Sequence, residues 1–214
     1  MKKVHNLIIL DESGSMECIR EQALSGLNET LQTIINAQKK YPEMEQRTTV
    51  LLFDSENTKY VFLNEKTEGL RMLDKNDYCP NACTPLYDAI GKGISDIKKT
   101  FGNDEAAIVT IITDGYENAS REYSLKQITK LIDKLKKKNW TFAFIGTDNL
   151  DVESMAENFH INNHLVFSQD EDGTRDMFVK ENRSRMMAYG CFSKDVSIEE
   201  DGYFNSDDEN EKDF

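Results

Sequence analysis

The sequence predicts an α/β fold: a doubly wound, mostly parallel central sheet with one antiparallel edge strand and helices on both faces. Two observations predict it. Short, nearly continuous apolar runs, among them 5–10, 106–113 and 140–145, alternate with segments of helical periodicity. Strands that are apolar on both faces belong to parallel sheets covered by helices. In addition, two of these runs end in an aspartate, Asp11 and Asp114, and open parallel sheets bind ligands beyond the carboxyl ends of their strands.

The elements follow in order. His5 to Leu10 is the first strand. Glu17 to Lys40 carries Ile19, Ala23, Leu27, Leu31 and Ile34 at helical spacing and is stopped by Tyr41-Pro42. Arg47 to Phe53 is the second strand. Thr58 to Leu63 alternates more, follows the turn residues Asp54-Ser55-Glu56-Asn57, and reads as the antiparallel edge. Asp74 to Thr84 is a polar loop of a length that carries function. Pro85 to Phe101 is a helix opened by proline and broken by Gly102-Asn103-Asp104. Ala106 to Thr113 is the central buried strand. Ser124 to Lys138 is a helix whose basic end complements its dipole. Trp140 to Ile145 is a strand, Asn149 to Phe159 a short helix, His164 to Phe167 the last strand and Thr174 to Tyr189 the last helix. There are no internal repeats.

A chain of 214 residues suits one domain with a full core, assigned to residues 1–192. Residues 193–214 read as a disordered acidic tail. From 195 onward there are nine Asp or Glu and one lysine, Lys212, so this end carries −8 of the chain's −13. A like-charge block with few aliphatics cannot bury enough area to offset chain entropy. The rest is mildly acidic, which argues against nucleic-acid binding. The apolar run after Met1-Lys2-Lys3 is too short for a signal core, and no stretch reaches membrane-span length. The chain therefore reads as cytoplasmic, without a membrane partner. Cys18, Cys79, Cys83 and Cys191 then read as free thiols. The alternative is a disulfide or soft-metal site among Cys18, Cys79 and Cys83, which fall near one face.

Asp11, Ser13 and Ser15 occupy alternate positions as the first strand ends, so an extended backbone points them the same way. Gly14 is expected to ease the turn. Oxygen ligands without thiolate or imidazole suit a hard cation, Mg²⁺ first, with Mn²⁺ or Ca²⁺ as alternatives. Thr84, just before a helical pattern, and Asp114, at the end of the central strand, add a hydroxyl and a second carboxylate. Each residue has a plainer reading: Ser13, Ser15 and Thr84 as helix caps, Asp11 and Asp114 as turn residues. Glu12, between ligands, should point away. Glu117 and Asn118 shape the rim or lie in a solvated loop. Mg²⁺ takes six oxygens and keeps waters readily, so five protein oxygens leave one solvent-facing coordination position.

In order and context, the D-x-S-x-S of Asp11, Ser13 and Ser15, followed by Thr84 and Asp114, resembles the metal-ion-dependent adhesion site (MIDAS) of von Willebrand factor A (vWA, integrin I-like) domains. The resemblance covers roughly residues 1–190. Thr113-Asp114-Gly115-Tyr116-Glu117-Asn118 and Phe144-Ile145-Gly146-Thr147-Asp148 are similar to the stand-alone bacterial members. The resemblance implies a Rossmann-like vWA fold and a divalent cation at the five residues, with Asp114 and sometimes Thr84 acting through water. It also implies a partner protein whose acidic side chain takes the open position. One alternative is a vWA scaffold with an idle or structural site. Another is a Mg²⁺-dependent phosphohydrolase using Asp11, but Ser13 stands where such an enzyme needs a second carboxylate. No glycine-rich phosphate loop or H-E-x-x-H motif is present, so no catalytic residue is assigned and the chain reads as a non-enzyme.

Overall fold

Alternate residues of the first strand, β1 (Lys2–Asp11), feed two separate cores. The computed structural model describes residues 2–204. The other strands are β2 (Met44–Phe53), β3 (Thr58–Lys66), β4 (Ala106–Thr113), β5 (Trp140–Thr147) and β6 (Asn163–Phe167). They form one sheet in the order β3-β2-β1-β4-β5-β6, parallel throughout except for β3 against β2. The helices are α1 (Arg20–Lys40), α2 (Leu86–Lys98), α3 (Leu125–Lys136), α4 (Val152–Asn158) and α5 (Glu171–Ser193).

Val4, Ile8 and Leu10 of β1 pack with residues of α1 and α5; Leu7 and Ile9 pack on the other face with α2, α3 and α4. All five are at most 1% exposed, and burial of each such side chain contributes roughly 1.5–3 kcal/mol. This two-sided burial is why the strand is apolar without interruption. Strand order reverses at β1 and β4: the chain moves outward from β1 through β2 to β3, then returns to the other side of β1. The carboxyl ends of β1 and β4 therefore meet at the switch point where such sheets bind ligands.

On one face α1 crosses α5 closely. A Cβ at Gly26 would lie 2.0 Å from Phe178 Cδ2, so the ring rests where a larger residue would stand. Glycine inside a helix costs about 1 kcal/mol relative to alanine, and the packing of Phe178, 1% exposed, offsets it.

The expected helix from Glu17 begins differently. Gly14–Ile19 is a 3-10 turn, and α1 starts at Arg20. The chain also packs beyond the boundary expected after residue 192. Tyr203 and Phe204 are 2% and 6% exposed, and their rings meet edge to face at 5.0 Å. Tyr203 Oη donates to Glu181 Oε1 at 3.1 Å, and the Asn163 side chain brackets the segment through Glu200 O and Tyr203 N. Two aromatics with a satisfied hydroxyl anchor residues whose acidic composition predicts disorder. Residues 205–214 of the expected tail lie outside the described residues.

Under that segment lies a buried polar cluster. Arg185, fully buried, donates to Glu181 Oε1 at 2.6 Å, to Thr110 Oγ1 at 2.7 Å and to Asn6 Oδ1 at 2.9 Å. Tyr189 Oη donates to the same Asn6 oxygen at 2.6 Å. Pairing and full hydrogen bonding make such a buried charge tolerable. Among the described residues no helix is long and apolar enough to cross a membrane.

Candidate functional site

Asp11 is the last residue of β1 and is fully buried. Its Oδ1 accepts the Ser13 amide at 2.7 Å and its Oδ2 accepts the Thr113 hydroxyl at 2.5 Å. The Ser13 and Ser15 hydroxyls lie 3.4 Å apart, and Ser15 Oγ donates to Asp114 Oδ1 at 2.7 Å. Thr84, 3% exposed, sits against the turn after Asp114: a Cβ on Gly115 would stand 2.9 Å from Thr84 Oγ1. Glycine is required there for close approach. The backbone of Thr84 is clamped by Asn118, whose Oδ1 accepts its amide at 2.8 Å and whose own amide donates to its carbonyl at 3.1 Å. The three loops thus bring all five expected residues together where β1 and β4 end.

The helix-cap readings fail. No side-chain cap bond forms at the 3-10 turn, at α1 or at α2, where the capping position is Pro85 rather than Thr84. Gly14 does not exploit glycine's freedom, since among the described residues no glycine has positive φ. The unusual backbone lies opposite, at Ala82 with φ 58°, whose carbonyl accepts the Gly14 amide at 3.2 Å. Glu12 points away as expected and ties down the neighbouring loop, pairing with Lys59 at 2.9 Å and accepting the Cys79 amide at 2.5 Å. All four cysteines are free thiols.

Two further contributors, Thr113 and Gln169, were not among the residues expected at the site, and Glu117 takes the first of its two expected roles. Thr113 orients Asp11. Gln169, in the loop after β6, donates from Nε2 to Asp114 Oδ2 at 2.5 Å and to Ser15 O at 3.4 Å. Glu117 caps the amides of Ala119 and Ser120 and accepts the Tyr87 amide at 2.9 Å, so it braces the rim instead of lying in solvent. The position of Gln169 beyond a strand's carboxyl end was the one available hint.

Among the described residues, the side-chain hydrogen-bond partners of Asp11 and Asp114 are neutral: two hydroxyls, a backbone amide and a carboxamide. Burial pushes the Asp11 carboxyl up to about 7; the bonds from Thr113 and Ser13 oppose this and the charge of Asp114 adds to it. Burial likewise raises Asp114, against the bond from Ser15. Two buried carboxylates without a positive partner, beside three hydroxyls, are a donor set that fits a hard dication. Among the described residues no three His, Cys, Asp or Glu side chains converge. An ion here would therefore rely on the hydroxyls, and a thiolate site among the cysteines finds no support.

The family model described as "von Willebrand factor type A domain" matches residues 7–180. No curated protein matches the sequence. Among solved structures, the vWF domain of the type V pili tip protein Mfa5 from Porphyromonas gingivalis superposes with a TM-score of 0.61 at 10% identity, covering 88% of this chain and 96% of that one. The SpRpn10 VWA domain gives 0.56 at 13% identity, with 84% and 95% covered. The PilB minor pilin from Streptococcus sanguinis gives 0.62 at 10% identity, with 88% of this chain covered. This chain spans 62% of that pilin, less than two thirds of its length. At such identities the likeness is one of fold.

Proposed function

The chain belongs to the von Willebrand factor type A domain family, and from that membership we propose a metal-ion-dependent protein-binding module. Asp11, Ser13, Ser15, Thr84 and Asp114 hold a divalent cation, Mg²⁺ in preference to Mn²⁺ or Ca²⁺, directly or through water. The cation would supply a Lewis-acidic vertex for an acidic side chain of a partner protein. The observation that carries this reading is the pair of buried carboxylates with only neutral partners. Leaving such charges uncompensated is costly, and a dication compensates both. The pilin and pili-tip structures among the neighbours agree with a role in protein interaction.

The module is not an enzyme in this reading. Ser13 Oγ faces Ser15, and no lysine is placed on Asp11 or Asp114 among the described residues to receive a phosphoryl group. The four free thiols favour a reducing, cytoplasmic setting. Isothermal titration of the full chain with Mg²⁺, Mn²⁺ and Ca²⁺, beside Asp11→Asn, tests the site. Saturable heat lost in the variant supports it. No heat from any of the three ions leaves only the alternative, a vWA scaffold with an idle site.

A further inference from the structure

Beside the candidate metal site lies a cleft of about 330 Å³ between α2, α3 and α4. Leu86 and Phe159, 0% and 2% exposed, form its floor, and the half-buried Leu125 and Met155 flank it. Tyr116 forms the rim nearest the site. Its side chain is 52% exposed although it is aromatic, and its hydroxyl, accepting the Asp151 amide at 3.0 Å, ties it to the start of α4.

The cleft adjoins the site. Tyr116 follows Asp114 by two residues, and Leu86 follows Thr84 by two. Two trans peptide steps place each pair of Cα atoms at most about 7.6 Å apart. A segment bound at the five oxygens therefore has the rim of this cleft within reach of its neighbouring side chains.

We propose that the cleft is a specificity pocket, and that the partner presents a large apolar side chain within a few residues of its metal-seeking carboxylate. The inference rests on the metal-dependent reading above and names the partner's chemistry. Three features select this occupant. The two carboxylates at the rim are turned to backbone amides: Glu117 takes those of Tyr87, Ala119 and Ser120, and Asp151 takes that of Ser154. The floor and flanks are Leu86, Phe159, Leu125 and Met155, and the volume sits at the lower end for ligand sites, which suits one side chain rather than a cofactor. The chain's net charge of −13 repels an acidic segment at a distance. A carboxylate on a single metal vertex thus gains most from an adjacent contact that salt and charge do not weaken, and burying one large apolar side chain strengthens binding by about tenfold or more.

The test uses the full chain and labelled peptides carrying one glutamate in a glycine–serine host, with phenylalanine moved through each nearby position. Magnesium binding is measured separately by calorimetry. The expected result is Mg²⁺-dependent binding in which one or two phenylalanine positions bind about tenfold tighter than the host peptide. Tyr116→Ala and Met155→Gln should each erase most of that gain while leaving Mg²⁺ affinity and host-peptide binding unchanged. Tyr116 is exposed, so its variant guards against misfolding at Met155. Metal-dependent binding with no phenylalanine preference, or a preference that survives in both variants, overturns the pocket and leaves the metal site standing. If Mg²⁺ binds but no peptide does, the acidic-partner reading falls together with the pocket. If Mg²⁺ itself does not bind, the metal site falls as well.

Discussion

The Thr113 hydroxyl donates to Asp11 Oδ2 at 2.5 Å, across the junction of β1 and β4. Thr113 Oγ1 also accepts the Gly115 amide at 3.1 Å, so one hydroxyl fixes the orientation of Asp11 and shapes the turn that delivers Asp114. Thr113→Val keeps the shape and removes the donor. Groups that orient metal ligands in this way typically contribute 10–100-fold in affinity. We expect Mg²⁺ affinity by titration calorimetry to fall by about tenfold, and the protein in EDTA to lose about 1 kcal/mol, because Asp11 Oδ2 is left without its buried donor. Unchanged affinity would mean that Asp11 needs no such support.

Asp11→Asn should abolish metal-linked stabilisation and leave the fold intact. A ligand at a hundredfold excess over its Kd stabilises by about 2.7 kcal/mol, or about 5–11 °C for a domain of this size. Differential scanning with Mg²⁺ or Mn²⁺ against EDTA measures this. In EDTA the variant should melt no lower than wild type, because it removes a buried charge that lies near Asp114. Equal wild-type melting with and without the ions would sink the prediction.

The sheet was legible because two-sided burial writes strands as unbroken apolar runs, and Asp11 and Ser13 were legible because alternate positions of an extended chain share a direction; the same pattern picked out Ser15, although the chain has entered the 3-10 turn by then. Thr113 was not, since a β-branched residue inside an apolar strand looks like packing. Gln169 lies 154 residues from the Ser15 carbonyl it reaches, with no local pattern to announce it. Glu181 and Arg185 have the i, i+4 spacing of an exposed helical pair. Their burial is decided by Asn6, Thr110 and Tyr203, which no local window contains.

The residues after α5 should therefore matter to stability. Tyr203→Ala opens a cavity and removes a donor from Glu181; large-to-small changes of this kind cost roughly 3–5 kcal/mol. Tyr203→Phe, which loses only the hydroxyl, should cost about 1 kcal/mol. Truncation after Lys194 should destabilise at least as much as Tyr203→Ala. Urea unfolding of the three variants gives the ranking, and a truncated protein as stable as wild type would show that the segment packs without contributing.

Acid should weaken the opposite end of the sheet through Glu105 and His5. Burial would raise the Glu105 carboxyl, but bonds from the Gly102 amide, His5 Nε2 at 2.8 Å and Lys3 Nζ at 3.0 Å outweigh it and hold the group down at about 2. A carboxylate depressed in the folded state stabilises above its unfolded pKa, and that contribution is lost as pH falls from about 4.5 towards 2. Burial, against the bond to Glu105, also lowers His5. The unfolded chain therefore takes up that proton first once pH drops below about 6.5, and stability falls in the same direction. Glu105→Gln should cost about 1 kcal/mol at pH 7, after discounting for solvent screening. Its deficit relative to wild type should shrink as pH falls below about 4.5, because wild type then loses what the variant never had. Paired urea titrations across that range measure the difference directly; a deficit that stays constant with pH would mean that the Glu105 side chain acts through packing and not through its charge.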